Sequence, residues 1–240
     1  MSPRPAQGRG GDGRMAMEPF VMCLTNAVAA NFTANCLLAV GAKPAMVAEP
    51  DEAAELAGQA DAILVNLGTV DERQVAAMRA AVEVATRRRV PWVLDPVGVQ
   101  ALSFRRRLAL ELIARSPSLI RGNSEEIGFL KKFAAGFPGP VPVLATGEVD
   151  RVEEAGREPV SVAGGVPMLQ TVTATGCAQG GLCAAFLGRG MSPFEAGVAA
   201  AKLMKRAGEV AAARERAPGS FQVALVDALW SESRSQHEQD

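Results

Sequence analysis

The sequence predicts an α/β domain of three layers, with helices on both faces of a mostly parallel sheet. Short apolar runs typical of buried strands alternate along the chain with longer segments of helical pattern. Polar residues directly follow several of these runs, as in Asn66-Leu67-Gly68-Thr69 and Arg121-Gly122-Asn123. The hydrophobic fraction of the 240 residues is 48%, but aromatic residues supply only 5%. This balance favours closely packed helices on a sheet over an aromatic-rich β-sandwich.

The first half of the chain gives four strand–helix pairs. Gly41 is placed to end the first helix as its left-handed C-terminal residue. Thr69 with Glu72 fits a capping box, which predicts that the third helix begins there. In order, the predicted elements are strand 21–24, helix 26–40, strand 45–47, helix 51–59, strand 62–66, helix 69–88, strand 91–95 and helix 104–114.

The second half continues the alternation and then changes character. Ser124 is the predicted N-cap of a helix that follows the strand at 118–120. The stretch 151–173 alternates in short β pieces, and helical segments close the chain. The predicted elements are strand 118–120, helix 125–133, strand 141–145, and helices 178–187, 193–213 and 221–230.

One domain, residues 20–231, accounts for the whole patterned region. Residues 1–19 are rich in glycine, arginine and proline and read as a disordered leader without the apolar core of a signal peptide. Residues 232–240 form a polar tail. A cytoplasmic location is the expectation.

Composition excludes several classes of function. Lysine and arginine total 25 against 26 acidic residues, so the formal net charge of −1 argues against nucleic-acid binding. The apolar runs are shorter than the roughly 18–20 residues of a membrane span. The four cysteines lack metal-ligand spacing, and the single histidine, His237, lies in the polar tail, which argues against zinc and against Ser-His-Asp catalysis.

Two carboxylates are candidates for binding a metal ion. Asp95 ends a predicted strand and is followed by a Pro-Val-Gly turn that would expose it at the sheet edge, and Glu126 lies in the first turn of the next helix. Together they suit Mg²⁺, which takes few direct protein ligands and keeps several waters. The alternative is structural: Asp95 as a turn residue and Glu126 as a carboxylate favoured by a helix N-terminus.

Arg121 ends a predicted strand at the same edge. A guanidinium there can bind phosphate through two parallel hydrogen bonds. The alternative is a surface ion pair with Glu125 or Glu126.

The segment 171–177, Thr-Val-Thr-Ala-Thr-Gly-Cys, leads directly into an apolar helix. Backbone amides and the helix dipole at such a start form an anion site. Cys177 would sit at the positive end of that helix, where the pKa of a thiol can be lowered. The alternative is a buried structural cysteine. Met46, after Pro44-Ala45, either lines a pocket or fills the core.

The order of these motifs is more specific than any one of them, and it resembles the hydroxyethylthiazole kinase family of thiamine salvage. The resemblance runs from about Val21 to Trp230. It rests on Leu24-Thr25-Asn26, the Asn31–Met46 segment, Asn66-Leu67-Gly68-Thr69, Leu94-Asp95-Pro96-Val97-Gly98, Ile120-Arg121-Gly122-Asn123 with Glu126, Thr146-Gly147-Glu148-Val149-Asp150, the Thr171–Cys177 loop and Pro218-Gly219-Ser220-Phe221.

The resemblance implies a ribokinase-like fold and transfer of the ATP γ-phosphate, with Mg²⁺, to the hydroxyl of 4-methyl-5-(2-hydroxyethyl)thiazole. It implies a homotrimer with the active site at a subunit interface. By their places in the motifs, Arg121, Thr146 and Asn26 would bind ATP. Met46, Ala174, Gly68 and Thr69 would bind the thiazole, Asp95 and Glu126 would lie near magnesium, and Arg121, Gly176 and Cys177 would surround the reacting hydroxyl.

Three departures from the family pattern keep alternatives open. Ala174 stands where the family loop usually has glycine, and a Gly/Arg leader replaces an initial helix. Only the segment 127–141 separates the Glu126 helix from the next strand, which leaves no room for a second helix and would bare part of one sheet face. Its Phe129, Phe133 and Phe137 would fold back over that face or pack against a partner chain. A catalytically weak thiazole-binding relative, or a kinase for another small alcohol such as a hydroxymethylpyrimidine, is the alternative function.

Overall fold

A single eight-stranded sheet forms the centre of the protein. The structure, a computed structural model, describes residues 18–134 and 136–237, so the predicted leader falls almost wholly outside the described residues. The strand order is β2-β1-β3-β4-β5-β6-β7-β8; β1 to β6 are parallel, and β7 and β8 continue the sheet in antiparallel pairing. The strands are β1 Phe20–Leu24, β2 Lys43–Met46, β3 Ala62–Asn66, β4 Trp92–Asp95, β5 Leu119–Asn123, β6 Val143–Thr146, β7 Asp150–Glu154 and β8 Arg157–Val162.

In the described ranges, eight α-helices cover the two faces of the sheet. They are α1 Ala27–Ala39, α2 Pro50–Ala57, α3 Glu72–Arg88, α4 Ser103–Ile113, α5 Ser124–Phe133, α6 Thr175–Gly188, α7 Pro193–Arg214 and α8 Pro218–His237. Helices α1, α6, α7 and α8 pack on one face, and α2 to α5 pack on the other. None of the helices in these ranges is long and apolar enough to cross a membrane.

The central strand β3 shows why the sheet is buried on both faces. Its first four residues are apolar and Asn66 is its last, and the side chains point alternately to the two sides of the sheet. Ala62 and Leu64 belong to the core under α6, whereas Ile63 and Val65 belong to the core under α3. The predicted three-layer α/β fold is confirmed.

Two predicted helix starts are wrong because, in each case, a neighbouring residue caps the helix in place of the predicted one. Asp71 caps α3, accepting from the backbone N–H of Gln74, so the helix begins later than a Thr69 cap would allow. Asn123 caps α5, because its side chain accepts from the N–H of Glu126 while Glu126 accepts from the N–H of Asn123. Ser124 is therefore the first helical residue and not the cap.

Other boundaries move by a few residues. Strand β5 extends beyond its predicted end to Asn123, which places Arg121 within the sheet. The β character predicted for 151–173 ends at Val162, and Pro167–Gln170 form a 3₁₀ turn instead. Helix α8 continues beyond residue 230, through the start of the predicted polar tail.

The end of α5 and the short connection after it fold back on the protein. Phe129 and Phe137 are partly buried against the core beneath α2 to α5, so they cover some of the face that a second helix would occupy. Phe133 stacks on Phe129 at 4.6 Å between ring centroids but leaves 60% of its surface exposed. The surface between α5 and β7 is polar, because Lys131 of α5 and Arg151 of β7 both form ion pairs with Glu153 of β7.

Candidate active site

A cluster of polar side chains lies at the carboxyl ends of the parallel strands, where ligands bind in open α/β sheets. The register aligns Asn66 of β3 with Asp95 of β4, and Asn123 of β5 with Thr146 of β6. The N-terminus of α6 closes the cluster from one face of the sheet. Its members are Asn26, Asn66, Asp95, Arg121, Thr146, Gly176, Cys177 and Gln179.

Asp95 is the fully buried carboxylate of this cluster. The structure contradicts the expected exposure, because Asn66, Arg121 and Gly180 of α6 surround the side chain. Oδ2 accepts from Asn66 Nδ2 at 2.8 Å, while Oδ1 has no hydrogen-bond partner among the described residues. Burial raises the pKa of Asp95 to about 6, although nearby Arg121 opposes the rise.

Two asparagines and a glycine fix the strand end beside Asp95. Asn66 Oδ1 accepts from Asn26 Nδ2 at 3.1 Å and from the N–H of Gly68 at 2.9 Å. A Cβ at Gly68 would lie 2.5 Å from Asn26 Nδ2, so only glycine fits without displacing Asn26. The Asn66 amide therefore has one orientation, with its nitrogen directed at Asp95.

Arg121 is buried and does not form the surface ion pair with Glu125 or Glu126. Its Nη2 donates to Thr146 Oγ1 at 2.9 Å and to Gln179 Oε1 at 3.3 Å. Nη1 lies 3.6 Å from Asp95 Oδ2, too far for a hydrogen bond. The guanidinium packs on the backbone of Gly176, where a Cβ would meet Nη1 and Nη2 at 2.8 Å.

The start of α6 presents its first amides without a side-chain cap. Ala174 occupies the N-cap position with φ 69° and ψ 3°, and its methyl group accepts no hydrogen bond. The hydroxyl of Thr175 is turned away, because it donates to the carbonyl of Leu169 at 2.8 Å. The first-turn N–H groups and the helix dipole thus remain available to an anion beside Arg121.

Cys177 stands at this helix start as a neutral thiol. Its Sγ lies 3.7 Å from Asn26 Nδ2, which donates to it. The expectation of a lowered pKa is wrong: burial, followed by the nearby Asp95 carboxylate, raises the pKa of Cys177.

Glu126 is held by two backbone donors. Oε2 accepts from the N–H of Asn123 at 2.9 Å, and Oε1 accepts from the N–H of Gly98 at 2.8 Å. It is also close enough to Asp95 to help raise the pKa of that group. Within the described residues, no three His, Cys, Asp or Glu side chains gather as a metal-binding group.

Two residues expected to bind substrate lie at the surface. Met46 ends β2, the edge strand of the sheet, and is 37% exposed. Thr69 is also exposed and has φ 45°, in the left-handed region. In the described part of the chain, hydrogen bonds link neither side chain to the cluster around Asp95.

Sequence reasoning left three buried polar residues near the site without a role: Gln179, Asp150 and Lys205. Asp150 appeared only as part of a motif. Gln179 lies in an otherwise apolar helix, and Lys205 is buried on α7. A polar side chain on the apolar face of a helix is the signal that could have identified these two, because such groups are buried only with partners.

Comparisons with known proteins find similarity to one family along most of the chain. The profile of the hydroxyethylthiazole kinase family matches residues 14–140 and 139–234. A hydroxyethylthiazole kinase from Escherichia coli O6:K15:H31 is 44% identical over 234 aligned residues, which cover 89% of each chain. The alignment has 234 positions, but 89% of this 240-residue chain is only about 214 residues. About 20 positions of the alignment therefore have no residue of this chain. The two profile segments meet in the short connection after α5.

Solved structures give the same result. A hydroxyethylthiazole kinase from Pyrococcus horikoshii OT3 superposes with a TM-score of 0.85 at 36% identity, covering 91% of this chain and 90% of that chain. A ribokinase-like superfamily protein from Enterococcus faecalis has a TM-score of 0.66 at 15% identity, covering 95% of this chain and 90% of that one. The second likeness establishes the fold alone.

Proposed function

The chain belongs to the hydroxyethylthiazole kinase family, and on that premise we propose how its site performs the reaction. It is an ATP-dependent kinase that transfers the γ-phosphate to the hydroxyl of 4-methyl-5-(2-hydroxyethyl)thiazole. One observation carries the assignment of the site: Arg121 and the buried carboxylate of Asp95 meet at the uncapped N-terminus of α6. A cation, a carboxylate and an open set of amides suit phosphoryl transfer, which depends on positioning and on stabilising the charge of the phosphates.

The phosphate-binding half of the site consists of Arg121 and the α6 amides. Charge that develops on the transferred phosphoryl group is stabilised by fixed donors that need no rearrangement during the reaction. Arg121 is fixed by Thr146 and Gln179 and faces Gly176, so the guanidinium and the first amides of α6 bind the same anion. Thr146 binds nucleotide in this proposal through its position beside Arg121.

The residues on the other side fit a magnesium ion. Asp95 Oδ1 is buried and has no hydrogen-bond partner in the described part of the chain, which is costly unless a ligand reaches it. Both Glu126 oxygens already accept backbone N–H groups, so Glu126 would act through water or through the remaining lone pairs. Bound magnesium would neutralise charge on the phosphates, and Asp95 with Glu126 would hold it.

Cys177 positions the acceptor and does not remove its proton. Its pKa is raised, so the group is a thiol at neutral pH. Asn26 donates to Cys177 Sγ and to Asn66, which directs its own amide at Asp95. The acceptor hydroxyl would thus lie between Cys177 and Asp95, with Gly176 at the phosphate side. Met46, Gly68, Thr69 and Ala174 complete the thiazole side by their places in the family motifs.

Assembly as a homotrimer is part of the proposal. The groove of about 540 Å³ between β8 and α7 is separate from the proposed site, because none of the residues assigned to the site lines it. Apolar side chains on α1 and α8 are exposed in the single chain: Val28 by 62%, Leu38 by 57% and Val223 by 65%. Contact with neighbouring subunits would cover such surface and supply a further wall for the thiazole. The cytoplasmic location stays a prediction, consistent with four free cysteines.

An ATP-consumption assay with three acceptors tests the function. We expect Mg²⁺-dependent turnover with the thiazole alcohol and little with a hydroxymethylpyrimidine or a sugar alcohol. Asp95→Asn should reduce turnover sharply while circular dichroism stays unchanged. Faster turnover of the pyrimidine would identify a kinase for that alcohol, and no turnover of any acceptor would indicate a thiazole-binding relative without catalysis.

A further inference from the structure

Arg121 is held from behind by a side chain of α6 that the family motifs do not include. Gln179 Oε1 accepts from Arg121 Nε at 3.4 Å and from Nη2 at 3.3 Å, and both residues are buried. We propose that Gln179 is a positioning residue for Arg121 and that Asp150 sets the orientation of the Gln179 amide. The inference rests on the proposed function, because it takes Arg121 as the phosphate-binding group.

The orientation follows from the donors and acceptors around Gln179. A guanidinium only donates and an ionised carboxylate only accepts, so an amide between them has one favourable orientation. Gln179 Nε2 donates to Asp150 Oδ2 at 3.1 Å, which leaves Oε1 for Arg121. The reversed amide would place Nε2 against the guanidinium and Oε1 against the carboxylate.

Asp150, the first residue of β7, is in turn fixed by the loop that precedes it and by α7. Its Oδ1 accepts from the N–H of Gly147 at 3.0 Å and lies 3.4 Å from Lys205 Nζ. Lys205 is 6% exposed and donates to the carbonyls of Glu148 at 2.8 Å and Gly164 at 3.0 Å. The chain of contacts from Lys205 to Arg121 is therefore continuous and buried.

This arrangement uses one edge of the guanidinium and leaves the other for phosphate. Nε and Nη2 are occupied by Gln179 and Thr146, whereas Nη1 lies over Gly176 near Asp95. An arginine side chain loses considerable rotamer freedom when it is fixed on a ligand. Because Gln179 fixes it before ATP arrives, that loss does not reduce the affinity for ATP.

Calorimetric titration of Mg·ATP into the full-length protein tests the role of Gln179. We expect Gln179→Leu to raise the Kd for Mg·ATP about tenfold, because Arg121 loses the oxygen acceptor that its Nε and Nη2 share. The KM for the thiazole alcohol should change less than about twofold, because Gln179 does not face the acceptor in the proposed site. Cys183→Ala, buried one turn later on α6, is the matched control and should leave the Kd unchanged. Unchanged affinity in Gln179→Leu, or an equal loss in Cys183→Ala, would overturn the role of Gln179.

A double-mutant cycle tests the role of Asp150. Asp150→Asn should weaken Mg·ATP binding in the wild-type background and have no added effect in the Gln179→Leu background, because it acts through that amide. Additive losses would overturn the assignment of Asp150. If Asp150→Asn does not fold, as judged by circular dichroism, Gln179→Glu replaces it in the test. That variant keeps an acceptor for Arg121 but places two carboxylates together, and unchanged affinity for Mg·ATP would then contradict the need for a donor towards Asp150.

Failure of this inference is separable from failure of the proposed function. Turnover of the thiazole alcohol by the wild-type protein tests the function. The ratio of Mg·ATP affinities between Gln179→Leu and wild type tests the inference, and it needs no acceptor.

Discussion

At the scale of single residues, Ala174 is one of four non-glycine residues in the described ranges whose backbone has a positive φ. Its φ of 69° lies in the left-handed region, which costs a non-glycine residue roughly 1–2 kcal/mol. The family loop usually has glycine at this position, and the positive φ is a conformation that glycine adopts without strain. The strain lies at the start of α6, where the phosphate is proposed to bind.

Replacing this alanine should stabilise the protein. We expect Ala174→Gly to raise the free energy of unfolding by about 0.5–1 kcal/mol, because relief of strain exceeds the added entropy of the unfolded chain. Urea unfolding followed by circular dichroism measures the change. Ala76→Gly, an exposed position within α3 with ordinary helical geometry, is the control and should lose about 1 kcal/mol. A loss of stability in Ala174→Gly would contradict the strain argument.

The buried Asp95 predicts a pH dependence. Its pKa is raised to about 6, so the carboxylate is protonated below that pH and loses the charge that would hold magnesium. We expect kcat/KM to fall about tenfold per pH unit below pH 6. A kcat/KM that stays flat down to pH 5 would contradict the metal-binding role.

Protonation of Asp95 should lower activity but raise the stability of the folded protein. The folded-state pKa lies above the ordinary value of 3.8, so the folded protein binds the proton more tightly than the unfolded chain. The stability cost of the ionised group is therefore full above pH 6 and disappears as the pH falls towards 4. The Tm of Asp95→Asn should exceed that of wild type at pH 7.5, and the difference should shrink at pH 5.

Substitution of Arg121 should weaken binding of the nucleotide more than binding of the acceptor. We expect Arg121→Ala to weaken Mg·ATP binding by about 1.5–3 kcal/mol, the range for a hydrogen bond to a charged group, with a smaller change in the KM for the thiazole. Arg121→Lys should restore only part of the affinity, because lysine cannot bind phosphate in a bidentate manner. Isothermal calorimetry measures both variants. Unchanged ATP affinity in Arg121→Ala would show that the phosphate binds elsewhere.

At the scale of elements, the strand–helix junction of β5 and α5 links stability to the site. Asn123 ends the strand and caps the helix, and the same capping box directs Glu126 towards Gly98 in the loop after Asp95. A local hydrogen-bond pattern thus sets the place of a carboxylate proposed to lie near magnesium. Glu126 is both a structural residue and a candidate ligand, so the two interpretations of the sequence are compatible.

Two neighbouring substitutions identify the cap. Asn123→Ala removes the acceptor for the N–H of Glu126 and should cost about 1 kcal/mol of stability. Ser124→Ala, at the adjacent exposed position, should change stability by less than about 0.5 kcal/mol. Urea unfolding of the two variants decides between them. A larger loss in Ser124→Ala would reinstate the serine cap that the sequence pattern favours.

At the scale of the whole molecule, the proposed trimer predicts both a mass and a dependence of activity on assembly. Light scattering coupled to size exclusion should give three times the chain mass of 25.0 kDa. We expect activity to decline when dilution dissociates the assembly, because in the proposed trimer a neighbouring subunit would complete the thiazole pocket. A monomer that phosphorylates the thiazole at full rate would contradict the shared site.

The sequence by itself determined the layers of the protein and the edge where the site lies. Alternating apolar strands and helices specify a parallel sheet, and a residue that ends such a strand must lie at the common carboxyl edge. The positions of Asn66, Asp95 and Arg121 in the sequence are therefore enough to place them at one edge of the sheet. This inference needs only the period of the strands and the order of the elements.

The tertiary structure alone decided what these side chains contact. Arg121 and Gln179 are 58 positions apart, and their contact depends on how α6 crosses the sheet. The raised pKa of Cys177 likewise depends on burial and on the distance to Asp95, neither of which a local pattern contains. Local hydrogen bonding and periodicity act over a few residues, whereas burial and charge pairing arise from distant segments brought together. The order of the residues thus locates the site, and packing between distant segments sets its chemistry.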